Sequence, residues 1–228
     1  MKVIAFDFDG TLADSVELCL AVFDRVLRAH LGDAAPSRDE VLSIFGVNEP
    51  GILRRYLGDA APAAEREFYR ILRELHPVMC PDVMPGVREL LESLRRRVPL
   101  VLLTGRCETT GRIALECLRL DGYFSAFRFG SAECNAKAAQ LRALPGDFGV
   151  DPGELCYVGD AVSDVRACRE AGIRCLSAAW SSSAWTRELE EVNPGLVFPS
   201  VAALRDYLEA RLPAEDRRIC DPNQAKQG

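Results

Sequence analysis

Lysine is nearly absent from this chain: Lys2, Lys137 and Lys226 are the only three. No basic run occurs, and 28 lysines and arginines against 34 acidic residues leave a formal charge of −6. An acidic chain without a basic stripe repels a phosphate backbone, so nucleic acid is not an expected partner. A polybasic segment that could hold an anionic membrane is missing too. No uncharged apolar stretch approaches the length of a membrane span. The opening Met-Lys-Val-Ile-Ala-Phe is cut short by Asp7 and Asp9, so no secretory leader is expected. Cysteine is not scarce, but the nine form no C-x-x-C pair and their number is odd. They sit inside apolar segments, which suits small hydrophobes in a reducing cytosol better than disulfides or zinc ligands. Internal repeats and low-complexity tracts are also missing. A soluble, cytoplasmic monomer or homodimer without membrane contact is the expectation.

What is present is enough apolar residue, 48% of 228, for one α/β domain and a smaller insert. Five short apolar runs read as strands: 3–6, 98–103, 155–158, 173–176 and 196–198. Continuous apolar runs suit strands buried on both faces of a parallel sheet. Helical periodicity lies between them, over 87–97, 109–120, 136–144, 164–171 and 201–212. Strand alternating with helix implies right-handed crossovers and a doubly wound sheet, with ligands at the carboxyl ends of the strands. One block departs from this rhythm. Residues 15–83 carry helical patterns at 40–45, 52–57 and 63–75, a stripe of Val16, Leu20, Phe23 and Leu27, and glycine breaks at 46–51 and 58–62. The expected organisation is a Rossmann-like α/β core at 1–14 and 84–212, a small α-helical cap inserted after the first strand at 15–83, and a frayed polar tail at 213–228.

The chemistry begins at Asp7-Phe8-Asp9-Gly10-Thr11. Side chains two apart on a strand share a face, so Asp7 and Asp9 are placed together at the end of the first strand. Two close carboxylates repel, and a cation is expected beside them. One can attack phosphorus while the other moves protons. Solvated turn acids are the bland alternative. The stretch from Asp7 to Ser15 closely resembles the first motif, D-x-D-G-T, of the haloacid dehalogenase superfamily in its phosphatase form. The resemblance spans 1–212 and is nearest to the phosphoglycolate phosphatase-like subgroup with a helical cap. It implies that Asp7 carries the phosphoryl group, and that Asp9 protonates the leaving group and then activates water. It also implies that the Asp9 carbonyl binds magnesium.

Three further segments match that family in order. Thr104-Gly105-Arg106 follows the second strand, where a hydroxyl and backbone N–H groups can hold a phosphate oxygen. Arg106 either joins that phosphate site or points to solvent. Lys137 is the only internal lysine, and several carboxylates around a phosphate need a fixed cation. Its surroundings lack the lysine-proline pair common in the family. Gly159-Asp160-Ala161-Val162-Ser163-Asp164 matches G-D-x-x-x-D. The resemblance assigns Asp160 directly to the metal, and Asp164 to the metal through water or to orienting Lys137. Capping a helix is the alternative for Asp164. Oxygen ligands favour Mg2+ over zinc. The implied metal group is Asp7, Asp9, Asp160 and Asp164, the catalytic group Asp7, Asp9, Thr104 and Lys137, and the phosphate group Thr104, Gly105, Arg106 and Lys137.

Other residues are expected to be structural. Asp14 reads as the cap of the first inserted helix, His30 and His76 as structural groups at helix ends, and Trp180 and Trp185 as packing residues. Cys107 lacks a basic partner other than Arg106 and is not expected to be reactive. Asn48, Arg54 and Arg55 either meet a carboxylate or sugar hydroxyl of the substrate or form a solvated face. The expected activity is magnesium-dependent hydrolysis of a small phosphorylated metabolite. A β-phosphoglucomutase-like transfer is the alternative, and a phospho-accepting signalling domain the remote one. The cap block contains no lysine for a Schiff base, which argues against a phosphonoacetaldehyde hydrolase.

Overall fold

The computed structural model describes residues 1–212, so the expected tail lies outside the described residues. Strand β1 (Val3–Phe6) is followed by four helices: α1 (Val16–Leu31), α2 (Arg38–Leu42), α3 (Glu49–Leu57) and α4 (Ala61–Met79). Then come α5 (Val87–Arg95), β2 (Leu100–Leu103), α6 (Glu108–Leu118), β3 (Ala126–Arg128) and α7 (Lys137–Phe148). The chain continues as β4 (Leu155–Gly159), α8 (Val162–Ala171), β5 (Arg174–Ala178), α9 (Thr186–Val192), β6 (Val197–Phe198) and α10 (Val201–Glu209). The six strands form one parallel sheet in the order β3-β2-β1-β4-β5-β6. The order reverses between β1 and β4, and a crevice opens where neighbouring connections part in this way.

Both faces of the sheet are buried, as the continuous apolar runs require. Val3, Ala5, Val101, Leu103, Leu155 and Tyr157 enter one apolar layer, closed by Leu141 and Leu144 of α7, Val165 of α8 and Leu189 of α9. Ile4, Phe6, Leu100, Leu102, Cys156 and Val158 enter the other, closed by α5, α6 and α10. Alternation along each strand produces this division. Each valine, leucine, isoleucine or phenylalanine among them contributes about 1.5–3 kcal/mol of burial. Tyr157 brings a hydroxyl into the core, and donating to the Leu103 carbonyl at 3.2 Å satisfies it.

The second layer continues into the inserted helices through Leu18, Phe23, Phe68 and Ile71. The insert begins and ends at one place, because the Met84 N–H donates to the Leu12 carbonyl at 3.0 Å. No helix among the described residues is long and apolar enough to cross a membrane.

Several expectations need correction. Strand β3 was not expected, because three half-buried residues at the sheet edge carry too short a pattern. Helix α9 buries only Leu189 and has no apolar periodicity to read. Helix α7 runs through Pro145 to Phe148 rather than stopping before the proline. Gly51 belongs to α3 rather than to a break. Asp14 does not cap α1: Ser15 holds the N-cap position, and its hydroxyl turns to Asp9 instead of the helix.

Candidate active site

β1 delivers the first acid. The Asp7 N–H continues the ladder by donating to the Val158 carbonyl at 2.8 Å, so the carboxylate emerges beside the end of β4. Its Oδ1 accepts from the Phe8 N–H at 2.8 Å and its Oδ2 from Lys137 Nζ at 2.7 Å. β4 ends at Gly159, which places Asp160 beside Asp7 and Asp164 in the first turn of α8. Gly10 sits at φ +72°, and a Cβ there would collide with the Asp160 carboxylate. Glycine is therefore what lets the two strand ends approach.

Lys137 opens α7 and ties the acids together. Its Nζ donates to Asp7 at 2.7 Å and to Asp164 at 2.6 Å, and lies 5.3 Å from the Tyr157 ring centroid. Burial would lower the lysine pKa, but Asp164 and Asp7 outweigh it and raise the group above its ordinary range. Asp7 is pushed up to about 6, first by burial and then by Asp164, against the opposing pull of Lys137. Burial, then Asp164 and Asp7, push Asp160 well above the usual carboxylate range. Asp7, Asp160 and Asp164 each offer an oxygen, all within 4.8 Å of one another. Three crowded carboxylates offset by one lysine make an oxygen-only donor set, which fits a hard divalent cation.

Asp9 stands apart from this cluster. Its carboxylate receives Arg106 Nε at 2.9 Å, Arg106 NH2 at 2.6 Å and the Ser15 hydroxyl at 2.6 Å. Burial raises its pKa, yet Arg106 overrides burial and holds the carboxyl below its usual range. If Asp9 has a metal role, the backbone carbonyl remains for it. Arg106 does not reach solvent: it is 3% exposed, lies 5.1 Å from the Phe8 ring and approaches Cys19 Sγ at 3.0 Å. Thr104 is buried at the end of β2, where its hydroxyl accepts the Arg106 N–H at 3.3 Å.

Residue types alone did not single out Glu49. This buried acid of α3 accepts the Cys107 N–H at 2.7 Å and the Thr110 hydroxyl at 2.7 Å. It thus supplies the N-terminal cap of α6, for which Cys107 makes no side-chain bond of its own. Asn48 caps α3 through the Gly51 N–H at 3.1 Å and donates to the Gly130 carbonyl at 2.9 Å. Gly51 presses so closely on the Ala132 carbonyl that a Cβ could not fit. The only sequence signal for these contacts was the Asn-Glu-Pro start of α3; the partners lie 58 to 82 residues away. Arg54 meets a carboxylate, but that of Glu133 on the surface. Trp180 packs and donates to the Thr11 carbonyl at 3.0 Å, whereas Trp185 is 63% exposed, contrary to expectation. Cys107 contacts Tyr69 and Thr110, and burial then Glu49 push its thiol up, away from reactivity.

Asp7, Asp9, Glu49, Arg106, Lys137 and Asp160 border a cavity of about 390 Å³, whereas Thr104 and Asp164 stand behind its lining. A doubly wound parallel sheet with a lysine-bridged acidic cluster at its carboxyl edge defines an α/β protein of the phosphate-handling kind. The sequence profile of the Haloacid dehalogenase-like hydrolase family matches residues 4–178. The chain belongs to that family. It is 30% identical over 221 residues to a phosphoglycolate phosphatase of Chromobacterium violaceum, covering 92% of this chain and 97% of that one. It is 31% identical over 216 residues to a phosphoglycolate phosphatase of Pseudomonas syringae pv. tomato, covering 89% and 78%. Among solved structures, a predicted phosphoglycolate phosphatase from Haemophilus somnus superposes with a TM-score of 0.75 at 22% identity, covering 92% and 97%. CbbY from Rhodobacter sphaeroides, in complex with phosphate, superposes with a TM-score of 0.71 at 20% identity, covering 90% and 99%. At such identities these two likenesses concern the fold.

Proposed function

We propose that this chain is a magnesium-dependent phosphatase that hydrolyses a small phosphate monoester by way of a phosphoryl group on Asp7. The observation that carries this is the single contact point of Lys137, whose Nζ holds Asp7 and Asp164 together beside Asp160. Three segments distant in sequence converge there, and the relatives named phosphoglycolate phosphatase act on a phosphate monoester. Asp7, Asp160 and the Asp9 carbonyl would hold Mg2+, with Asp164 behind them. The cation would supply charge to offset that of the phosphate.

The chain's own groups then divide the work. An Asp7 carboxylate oxygen attacks phosphorus, and the bond from phosphorus to the ester oxygen breaks. The departing alkoxide takes a proton from Asp9, which must first gain that proton against the hold of Arg106 as substrate binds, since it is an ionised carboxylate in the resting site. Asp9 next takes a proton from water, the water oxygen bonds to phosphorus, and the bond to Asp7 breaks. Lys137 holds the nucleophile in place, while the Thr104 hydroxyl and the Gly105 N–H would hold the transferring phosphoryl oxygens. The helices of 15–83 act as a cap that excludes water. The unpaired described cysteines suit a cytoplasmic location.

Phosphate release from a panel of monoesters, with magnesium or EDTA, tests the proposal on wild type and Asp7→Asn. Release that requires magnesium and vanishes in folded Asp7→Asn is expected. Release that survives the substitution would remove Asp7 from the mechanism.

A further inference from the structure

Lys137 stands at the end of a loop with no regular structure of its own. The chain leaves β3 at Arg128 and enters α7 at Lys137. Backbone polar groups in such a stretch must find partners, and those partners fix where the stretch lies. One side of the loop rests on the turn after β2. The Gly130 N–H donates to the Arg106 carbonyl at 2.7 Å, and a Cβ at Gly130 would collide with the Gly105 carbonyl. The other side is held by one residue of the insert. Asn48 Nδ2 donates to the Gly130 carbonyl at 2.9 Å, and the Asn48 N–H donates to the Ser131 carbonyl at 2.9 Å.

The start of α7 has a weak cap of its own. Ala136, at the N-cap position, offers no side-chain oxygen, and the Lys137 N–H donates to Asn135 Oδ1 at 3.1 Å. The insert touches this residue too, since a Cβ at Gly46 would collide with the Asn135 amide. The ion pair of Arg54 with Glu133 is exposed and adds little. The residue after Asn48 grips the neighbouring turn, where Glu49 accepts the Cys107 N–H at 2.7 Å. Two consecutive residues of the insert therefore hold the loop before Lys137 and the turn after Thr104 against each other.

Resting on the phosphatase reading above, we infer that Asn48 is a positioning residue, which sets Lys137 between Asp7 and Asp164 by fixing the loop that precedes it. The insert is then part of the catalytic frame as well as its cover. Placement matters here. Nζ lies 2.7 Å from Asp7 and 2.6 Å from Asp164. A misplacement of about 1 Å costs about 10²-fold in rate. Asn48 also borders the cavity, so direct contact with substrate is the rival role that the test must separate.

Asn48→Ser makes that separation. Serine caps a helix about as well as asparagine, so α3 keeps its start. The shorter side chain does not span to the Gly130 carbonyl. One hydrogen bond is lost, which should lower the thermal midpoint by about 2–4 °C. With magnesium, kcat should fall by about 10–10²-fold for methyl phosphate and benzyl phosphate alike, with KM little changed. Added to Lys137→Met, Asn48→Ser should cost kcat nothing further, because the route through Lys137 is already gone. An undiminished cost in that background, or a rise in KM that differs between the two esters, overturns the inference.

Hydrogen exchange decides the matter without turnover, and serves if Lys137→Met does not fold. Asn48→Ser should quicken exchange at the Gly130 and Gln140 amides, which donate to the Arg106 and Ala136 carbonyls, and leave Leu144 further along α7 as it was. Unchanged rates at Gly130 and Gln140, or equal quickening at Leu144, overturn the inference. If wild type hydrolyses no ester while exchange responds as expected, the hold of Asn48 on Lys137 stands and the phosphatase reading falls.

Discussion

Arg106 and Asp9, 97 residues apart, are joined side on, Nε to Oδ2 at 2.9 Å and NH2 to Oδ1 at 2.6 Å. The arginine side chain is 2% exposed and the aspartate 23%. Arg106 therefore serves as a positioning residue for Asp9, and as a counter-charge that the interior cannot easily lose. Arg106→Met leaves a largely buried carboxylate without its partner and is expected to cost about 3 kcal/mol of stability in urea unfolding. The double variant Arg106→Met/Asp9→Asn should recover part of that loss. Arg106→Lys should not, because an ammonium cannot reproduce the two-pronged contact.

Lys137 is the counterpart on the other side of the site. Lys137→Met leaves Asp7 and Asp164 facing each other in a buried setting. Stability should fall by about 3–5 kcal/mol, and kcat by at least about 10²-fold. Replacing Asp164 by Asn in the same chain should restore much of the stability and little of the activity. Thermal unfolding and phosphate release separate the two effects.

Glu49 holds the first turn of α6 from outside the sheet. In Glu49→Ala, the Cys107 N–H loses its acceptor and the Thr110 hydroxyl is left with the Cys107 carbonyl, and about 1–2 kcal/mol of stability should go with this. Hydrogen exchange at Cys107 should quicken more than at residues of β4. Equal quickening at both would mean that the contact supports the whole fold rather than this turn.

His76 predicts a pH effect. It is fully buried in α4, and neither ring nitrogen has a hydrogen-bond partner among the described residues. Burial, then the charge of Arg106, lower its pKa from the ordinary 6.5. The unfolded chain therefore binds a proton here before the folded one does. Above about pH 6.5 the ring is neutral in both states and its contribution is constant, and stability falls as pH drops below that value towards the lowered folded pKa. His76→Leu should flatten this part of the stability curve. Urea midpoints between pH 5 and 8 provide the measurement.

Much of the site was legible because its residues lie at strand ends, where apolar runs stop. Asp7, Thr104 and Asp160 each follow such a run. Lys137 was identifiable by scarcity, as the one lysine inside the chain. The partner of Asp9 was not legible, since an arginine after Thr-Gly can as well face phosphate or water. Only the packing of Phe8 and Cys19 around its guanidinium decides the matter. Glu49 was hidden for the same reason: its role depends on which turn lies across from it. Strand β3 and helix α9 show the converse limit, where tertiary contacts build an element from residues with no periodic signal.

The hydrogen bond between Met84 and Leu12 closes the helical insert at its base. To the sheet, the whole excursion amounts to a tight turn, since the chain returns to the point it left. Above that closure the insert still touches the core, through Ser15 on Asp9, Cys19 beside Arg106 and Glu49 on the first turn of α6.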